Sequence, residues 1–480
     1  MSTTEAVGAR SAQQWGQART DAETLRSLTD ALALHAPAHD RDATFPWEGI
    51  AAVHEAGLLT ASVGRRYGGT GLTARETVDA FLALGEGDPA VALISAMTVF
   101  QHAAQDATPT WPAALYERVL ADSATRPVLL NAVRAEPELG APARGGLPAT
   151  TARRTADGWS VSGHKGFATG SEGLAYHLVW AITDEDEPRV GHIIVPGDAP
   201  GIRLERTWDH LGLRASSTHD VIYTDVCVPF ENFSGAPVGT VPNNTAPHSL
   251  FALAVPSLYV GVARAALAAF TTFAQERVPT SLGRPIATLD RIQTVAGEAK
   301  AQIVQAELVL SALAADADAG RVRPDALGLA KLLTSRSAIA AVQAIVAAIG
   351  NPALTRSLPF ERHLRDVLCS RPHPPQDDAA LLAAGRAVLG AYTTRPTTRT
   401  HAKTTTADRT TQTAPHSTPP DTERHDPHDH PPIPNPRARR AGRGIRPRPR
   451  RLRGRKHRRD RHRERRHARR RRRADGRVLA

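Results

Sequence analysis

Apolar positions along the chain fall into three regimes. Across residues 11–122 they recur at the spacing of one helical face. Leu25, Leu28, Leu32 and Leu34 do so along 21–34, Ile50, Val53 and Leu58 along 47–59, and a third run covers 73–84. From residue 158 the spacing shortens to two, the period of a strand buried on one face. Trp159, Val161 and Gly163 alternate with Ser160, Ser162 and His164, and a second alternating run covers 176–182. Further strands are predicted at 192–196 and 219–228, with Gly197, Pro200 and Gly201 as punctuation. Helical spacing then returns in four stretches, 251–277 (with Pro256 inside), 289–315, 324–350 and 377–392. Pro324 suits a first turn and Gly350 a helix end, while Asp377 and Asp378 suit the positive end of the last helix. Four helices with short connections predict a bundle. The whole is an α+β chain: a helical N-terminal domain over 11–125, a barrel-like β-domain over 126–240, and a four-helix bundle over 241–392.

Beyond residue 393 the pattern stops. The tail holds Ile433, Ile445, Leu452, Val478 and Leu479 as its large apolar residues and no aromatic, too little to bury, and is predicted disordered. It changes the meaning of the formal charge of +12. From Ala391 there are 28 Lys+Arg against 8 Asp+Glu, which leaves 32 against 40 in the body. The body is therefore mildly acidic. An Arg-rich arm suits nucleic acid, because clustered guanidiniums release counterions from phosphates. The same Arg, Pro, Thr and His bias also arises when GC-rich DNA is translated out of frame. A frameshifted or readthrough end is the favoured reading, and nucleic acid is not an expected partner. The HDPHDH run at 425–430 carries little weight, and no metal is expected. Cys227 and Cys369 lie far apart with no CxxC, which suits a reducing cytoplasm and two ordinary buried thiols. No leader pattern opens the sequence and no apolar run reaches bilayer length, so a cytoplasmic protein without a membrane segment is expected.

Chemistry concentrates between the two alternating runs, at Phe167-Ala168-Thr169-Gly170-Ser171. An aromatic, a hydroxyl two residues on, and a glycine permit backbone to approach something flat. One reading is a β-meander with a polar turn. The other is a platform for an aromatic cofactor, with Phe167 beside the ring system and the Thr169 hydroxyl bonded to it. The Tyr67-Gly68-Gly69-Thr70-Gly71 run lacks the Lys-Ser/Thr of a phosphate-binding loop and reads as a tight turn.

The surrounding motifs favour the second reading. Glu136-Pro137, Thr150-Thr151-Ala152-Arg153, Asp157-Gly158-Trp159, the 208–218 stretch and Asp225-Val226-Cys227-Val228-Pro229 occur in that order. Together they resemble the middle β-domain of the acyl-CoA dehydrogenase superfamily, and the resemblance extends over about residues 20–392. It implies a flavin-dependent oxidoreductase acting on the CH–CH group of an acyl-CoA-like substrate, with FAD as cofactor and FMN possible. It implies a flavin held by Glu136, Phe167, Thr169, Gly170 and Ser171. Arg277, with Leu282 in the family's aromatic place, Gln293, and the partial glycine pair Gly350-Asn351 would reach the cofactor across a homodimer or homotetramer. An electron-transfer partner or a flavin reductase is implied as well.

The sequence departs from the family at the catalytic base. The expected carboxylate place after Arg365-Asp366 falls near His373-Pro374, and the alternative helical place falls near Phe251; neither is acidic. Asp377 or Asp378 swings in, or His373 carries the proton chemistry, since imidazole both donates and accepts near neutrality. His373 between prolines resembles the loop histidine of the dibenzothiophene monooxygenase type. That implies an alternative, a two-component reduced-flavin monooxygenase using a flavin hydroperoxide, with His102 as a second polar group. Nucleic-acid binding through the tail is the remaining alternative.

Overall fold

The computed structural model describes residues 18–139, 146–240, 249–323 and 325–390. The expectations for Pro324, for the 425–430 cluster and for the tail lie outside the described residues.

Five helices open the chain: α1 (Ala22–Asp42), α2 (Trp47–Glu55), α3 (Ala74–Gly87), α4 (Pro89–Ala107) and α5 (Ala113–Ser123). Asp21 caps α1, its Oδ1 accepting the Thr24 N–H at 2.9 Å. The buried face of α1 is Leu25, Leu28, Leu32 and Ala36. Leu34 was expected on that face and instead is 75% exposed. Two residues advance a helix by about 200°, so Leu32 and Leu34 point apart. A full capping box between Thr73 and Glu76 starts α3. Asp88 ends α3 and caps α4, accepting the Ala90 N–H at 2.8 Å. The 67–71 loop is a tight turn: Gly68 and Gly71 have φ of 85° and 70°, and a Cβ on Gly69 would sit 2.0 Å from the Val63 carbonyl.

Eight strands follow: β1 (Leu129–Val133), β2 (Thr151–Arg154), β3 (Trp159–Ala168), β4 (Leu174–Thr183), β5 (Arg189–Pro196), β6 (Ile202–Glu205), β7 (His219–Val228) and β8 (Phe233–Pro237). They form one mixed sheet in the order β6-β7-β3-β2-β4-β5-β8, with β1 beside β4. β1 and β2 share one edge of β4, both parallel to it. Among the described residues β6 and β8 do not pair, so the expected barrel-like domain is a curled half-barrel that stays open. Trp159 and Val161 of β3, Val179 and Ala181 of β4, and Ile193 and Val195 of β5 share one core. Cys227 of β7, expected buried, is exposed, because it faces away from that core; Cys369 is buried.

The described residues end in α6 (Ser249–Glu276), α7 (Asp290–Asp318), α8 (Ala326–Ile349), α9 (Phe360–Leu368) and α10 (Asp377–Leu389). This is one helix more than expected. The nine residues of α9 lie between Pro359 and Pro372, too short a run to show a helical period. Contrary to the sequence reading, stretches of α6 and α8 are long and apolar enough to cross a bilayer by length and composition. Both pack inside the bundle, where Leu253, Val260 and Phe270 meet Ala338, Val342 and Ile345. The helices of the first segment dock onto this bundle through two glycines. A Cβ on Gly85 of α3 would fall 2.1 Å from the Leu258 carbonyl oxygen, and one on Gly261 of α6 would fall 2.4 Å from that of Leu82. That backbone-to-backbone contact fixes α3 and α4 against the bundle and presents α4 to the sheet.

Candidate functional site: the seam between sheet and bundle

The β3–β4 turn is held by the 213–218 segment. Gly170 N–H donates to Ser216 O at 2.9 Å, and Ser171 donates to Ser217 O through N–H at 3.0 Å and Oγ at 2.7 Å. Asn131 Nδ2 donates to the Thr169 carbonyl at 2.9 Å. The Thr169 hydroxyl accepts from Thr218 Oγ1 at 3.2 Å, and Thr218 lies 2.7 Å from Ser216 Oγ. Thr169 is buried, but Phe167 is 69% exposed, its backbone left-handed at φ 55°. Such a conformation in a bulky residue costs about 1–3 kcal/mol and concentrates at functional positions. Phe167 thus stands outward, edge-on to Trp208 with centroids 6.5 Å apart.

From Trp208 a line of side chains runs to the bundle. Trp208 stacks on His210 with centroids 4.2 Å apart, and His210 Nδ1 is 3.8 Å from Cys369 Sγ. Beyond lies Tyr259 of α6, fully buried, its hydroxyl 2.7 Å from His373 Nδ1. Burial, then Lys331 and His210, pushes the half-buried His373 down to about 4. The imidazole is therefore neutral at pH 7. Burial, then Cys369 and Asp366, pushes the Tyr259 phenol well up, and burial first pushes the Cys369 thiol up to about 12. Lys331 of α8 is buried and holds the loop, its Nζ 3.4 Å from Arg371 O and 3.9 Å from Asp377 Oδ1. Two buried hydroxyls on these elements, Ser335 and Ser370, have no hydrogen-bond partner among the described residues.

Several expected site residues serve otherwise. Glu136 is not free for a cofactor. Its Oε1 accepts from Lys165 Nζ and Thr150 Oγ1, both at 2.6 Å, and its Oε2 accepts the Ala149 N–H at 2.7 Å. Burial acts to raise that carboxyl, but Lys165, Thr150 and Ala149 outweigh it and bring the pKa below the usual range. Glu136 instead ties Ala149 and Thr150 to Lys165 of β3 through a buried ion pair.

His102 is fully buried in the N-terminal helices, its Nδ1 2.9 Å from the Tyr116 hydroxyl. Ile94 of the same helix is the residue that faces Gly170. His102 lies eight residues further, about 12 Å along the axis, which removes it from the turn. No described carboxylate enters the His373 place: Asp377 pairs with Arg336 Nε at 3.2 Å. Gln376, not either aspartate, holds the N-cap position of α10. Arg277, Gln293, Gly350 and Asn351 gather at one end of the bundle, where Arg291 of α7 reaches the Ala348 carbonyl at 3.0 Å. All four are exposed, and no hydrogen bond joins them to the Phe167–Ser171 turn.

The sequence reading missed Trp208, His210, Tyr259, Lys331 and the two serines. Lys331 had a signal: it is the one charge in an otherwise apolar run, 326–334. Tyr259, a lone phenol in a buried helix, had a weaker one.

A helical layer, an open sheet and a helical bundle that meet at a ring-lined seam define a flavin-dependent oxidoreductase of three-part build. Domain models of the acyl-CoA dehydrogenase family match in chain order, the N-terminal domain over 18–108, the middle domain over 132–226 and the C-terminal domain over 253–374. The putative acyl-CoA dehydrogenase YdbM of Bacillus subtilis is 30% identical over 372 residues, spanning 76% of this chain and 95% of that one. Butyryl-CoA dehydrogenase from Megasphaera elsdenii superposes with a TM-score of 0.67 at 22% identity, over 77% of this chain and 96% of its own. TdsC from Paenibacillus sp. A11-2, solved with FMN and indole, superposes with a TM-score of 0.68 at 21% identity, over 76% of this chain and 96% of its own. The chain belongs to the acyl-CoA dehydrogenase family.

Proposed function

We propose that the chain oxidises the CH–CH group of an acyl-CoA-like thioester, with His373 as the base. The observation that carries this is the Tyr259–His373 pair at 2.7 Å. Phe167, Thr169, Gly170 and Ser171 fit a flavin: an exposed ring lies two residues from a buried hydroxyl, and a glycine leaves the approach open. Bound FAD supplies a two-electron acceptor there, and FMN would supply the same. The protein's own part is proton transfer and positioning. With Tyr259 accepting from Nδ1–H, the Nε2 lone pair is available, and Nε2 makes no hydrogen bond among the described residues. The substrate α-proton passes to Nε2, and Tyr259 then holds the imidazolium through Nδ1–H. A pKa of about 4 equals the ordinary basicity of the carboxylate that His373 replaces. The exposed Arg277, Gln293, Gly350 and Asn351 support completion of the site by a second copy. The exposed Cys227 thiol fits a reducing, cytoplasmic setting.

The test is an anaerobic titration of the flavin-loaded full chain with acyl-CoA thioesters, following the flavin absorption band. Bleaching is expected in the wild type, loss of at least 100-fold in rate in His373→Gln, and a smaller loss in Tyr259→Phe. Because His373 stays neutral down to about pH 4, the bleaching rate is expected to be flat from pH 8 to pH 6, where the fold still holds. Unchanged bleaching in His373→Gln would remove His373 from the mechanism. One geometry favours a second reading. If Tyr259 donates to Nδ1, Nε2 carries the hydrogen and becomes a donor, which suits oxygenation by reduced flavin; no bleaching by any thioester, with oxygen-dependent product, would select it.

A further inference from the structure

A second opening lies between the end of α1, the 209–214 loop and the start of α9. It encloses about 780 Å³, within the ~300–1,000 Å³ typical of small-molecule sites. Five arginines line it, Arg41, Arg214, Arg356, Arg362 and Arg365, against the carboxylates of Asp40, Asp209 and Glu361. The pairing inside it is uneven. Arg365 takes both Asp40, at 2.6 and 2.9 Å, and Glu361, at 2.6 and 3.1 Å. Arg214 takes the Asp40 carbonyl at 2.8 Å and Asp209 at 3.4 Å, and Arg41 takes Asp42 at 2.7 and 2.9 Å.

No hydrogen bond or ion pair is left for Arg356 or Arg362 among the described residues. Arg356 is exposed, but Arg362 is only 8% exposed. The buried carboxylates whose charge it feels, Asp88 and Asp366, are occupied by the Ala90 N–H at 2.8 Å and the Leu213 N–H at 2.7 Å. The stem of Arg362 is buried while its guanidinium faces the cleft with no donor filled by the described residues, and a cation held so in a cleft is normally matched by a counter-ion. Arg362 also sits in the first turn of α9, where N–H groups lie beyond the reach of any intrahelical carbonyl and no side chain caps them. Helix starts of this kind take anions.

We propose that this cleft binds a phosphate-bearing small molecule, with Arg362 and Arg356 as its guanidinium partners and the first turn of α9 as a backbone partner. Two free arginine forks and a helix start offer more donors than the two oxygens of a carboxylate accept, which is why the phosphate is favoured. The proposal does not depend on the reading of the Tyr259–His373 pair.

The test uses the full chain and titrates inorganic pyrophosphate and ADP by calorimetry at fixed chloride, with succinate as the carboxylate comparison. Wild type, Arg362→Met and Arg356→Gln are compared; the Arg-rich tail is common to all three, so differences report the cleft. Affinity is expected to fall at least tenfold in Arg362→Met and several-fold in Arg356→Gln. Phenylglyoxal labelling of Arg356, read by peptide mass spectrometry, is expected to slow when pyrophosphate is present. Equal affinity in all three proteins, or Arg356 labelled at one rate with and without pyrophosphate, would overturn the site. Succinate binding as tightly as pyrophosphate would overturn the phosphate assignment. Should Arg362→Met not fold, Arg356→Gln and the labelling rate decide the matter.

Discussion

Acid should unfold this protein steeply, well above the pH at which its carboxylates titrate. Burial is the first cause that pushes five histidines down from 6.5: His102, His177 and His373 to about 4, and His192 and His363 to about 3. A lowered histidine binds its proton in the unfolded chain before it does so in the folded one. Stability therefore falls as the pH drops from about 6.5 toward 4. Two groups oppose this. Burial raises Asp366 to about 7, so near pH 5 the folded state holds a proton there that the unfolded chain lacks, and burial raises Asp88 in the same direction. His219 is lowered and Glu86 is raised, which act against each other. Five protons against the one on Asp366 leaves at most about four taken up on unfolding, a slope of up to about 5 kcal/mol per pH unit. Against a domain stability of about 5–15 kcal/mol, one pH unit removes a large share. Urea unfolding of the full chain at pH 7, 6 and 5 measures the slope. His363→Leu is expected to lower it by about 1.4 kcal/mol per unit, because one proton leaves the balance. Constant or rising stability between pH 6.5 and 5 would refute the reasoning.

Two further outcomes test the joints of the fold. Gly85→Ala is expected to cost at least 1–3 kcal/mol, roughly the range for overpacking, because its Cβ meets the Leu258 backbone, whereas Gly297→Ala in open space on α7 is expected to gain up to about 1 kcal/mol. Equal thermal midpoints for the two would contradict the close contact of α3 and α6. Glu136→Gln leaves Lys165 buried without its counter-charge and is expected to cost about 3–5 kcal/mol, with part recovered in Glu136→Gln/Lys165→Met. A Glu136→Gln protein of wild-type stability would mean that the pair is not what ties Ala149 and Thr150 to β3.

Local signals carried most of the fold. The helical spacing over 73–84 and the alternation of Trp159 and Val161 each marked an element where the structure has one. What failed was decided at longer range. Leu34 is apolar, yet no described residue covers its side of α1. The sheet stays open because β6 and β8 do not meet, which no strand records in its own pattern. Within the site, Phe167 and Thr169 were readable as a turn with chemistry, but their opposite burial depends on a left-handed φ set by the 216–217 contacts. Glu136 illustrates the same limit: a conspicuous carboxylate proved to be held by a lysine 29 residues on. Tyr259 and His373 are 114 residues apart, and only the docking of the loop after α9 onto α6 makes them a pair.

Titration of the full chain with FAD, followed by quenching of flavin fluorescence, tests most directly whether the seam is a flavin site. Wild type, Phe167→Ala, Thr169→Val and, as a distant surface control, Cys227→Ser are the proteins to compare. Tight binding in wild type and Cys227→Ser, weakened at least tenfold in the other two, is the expected result. Equal affinity in all four would place the flavin elsewhere and contradict the site built here on Phe167 and Thr169.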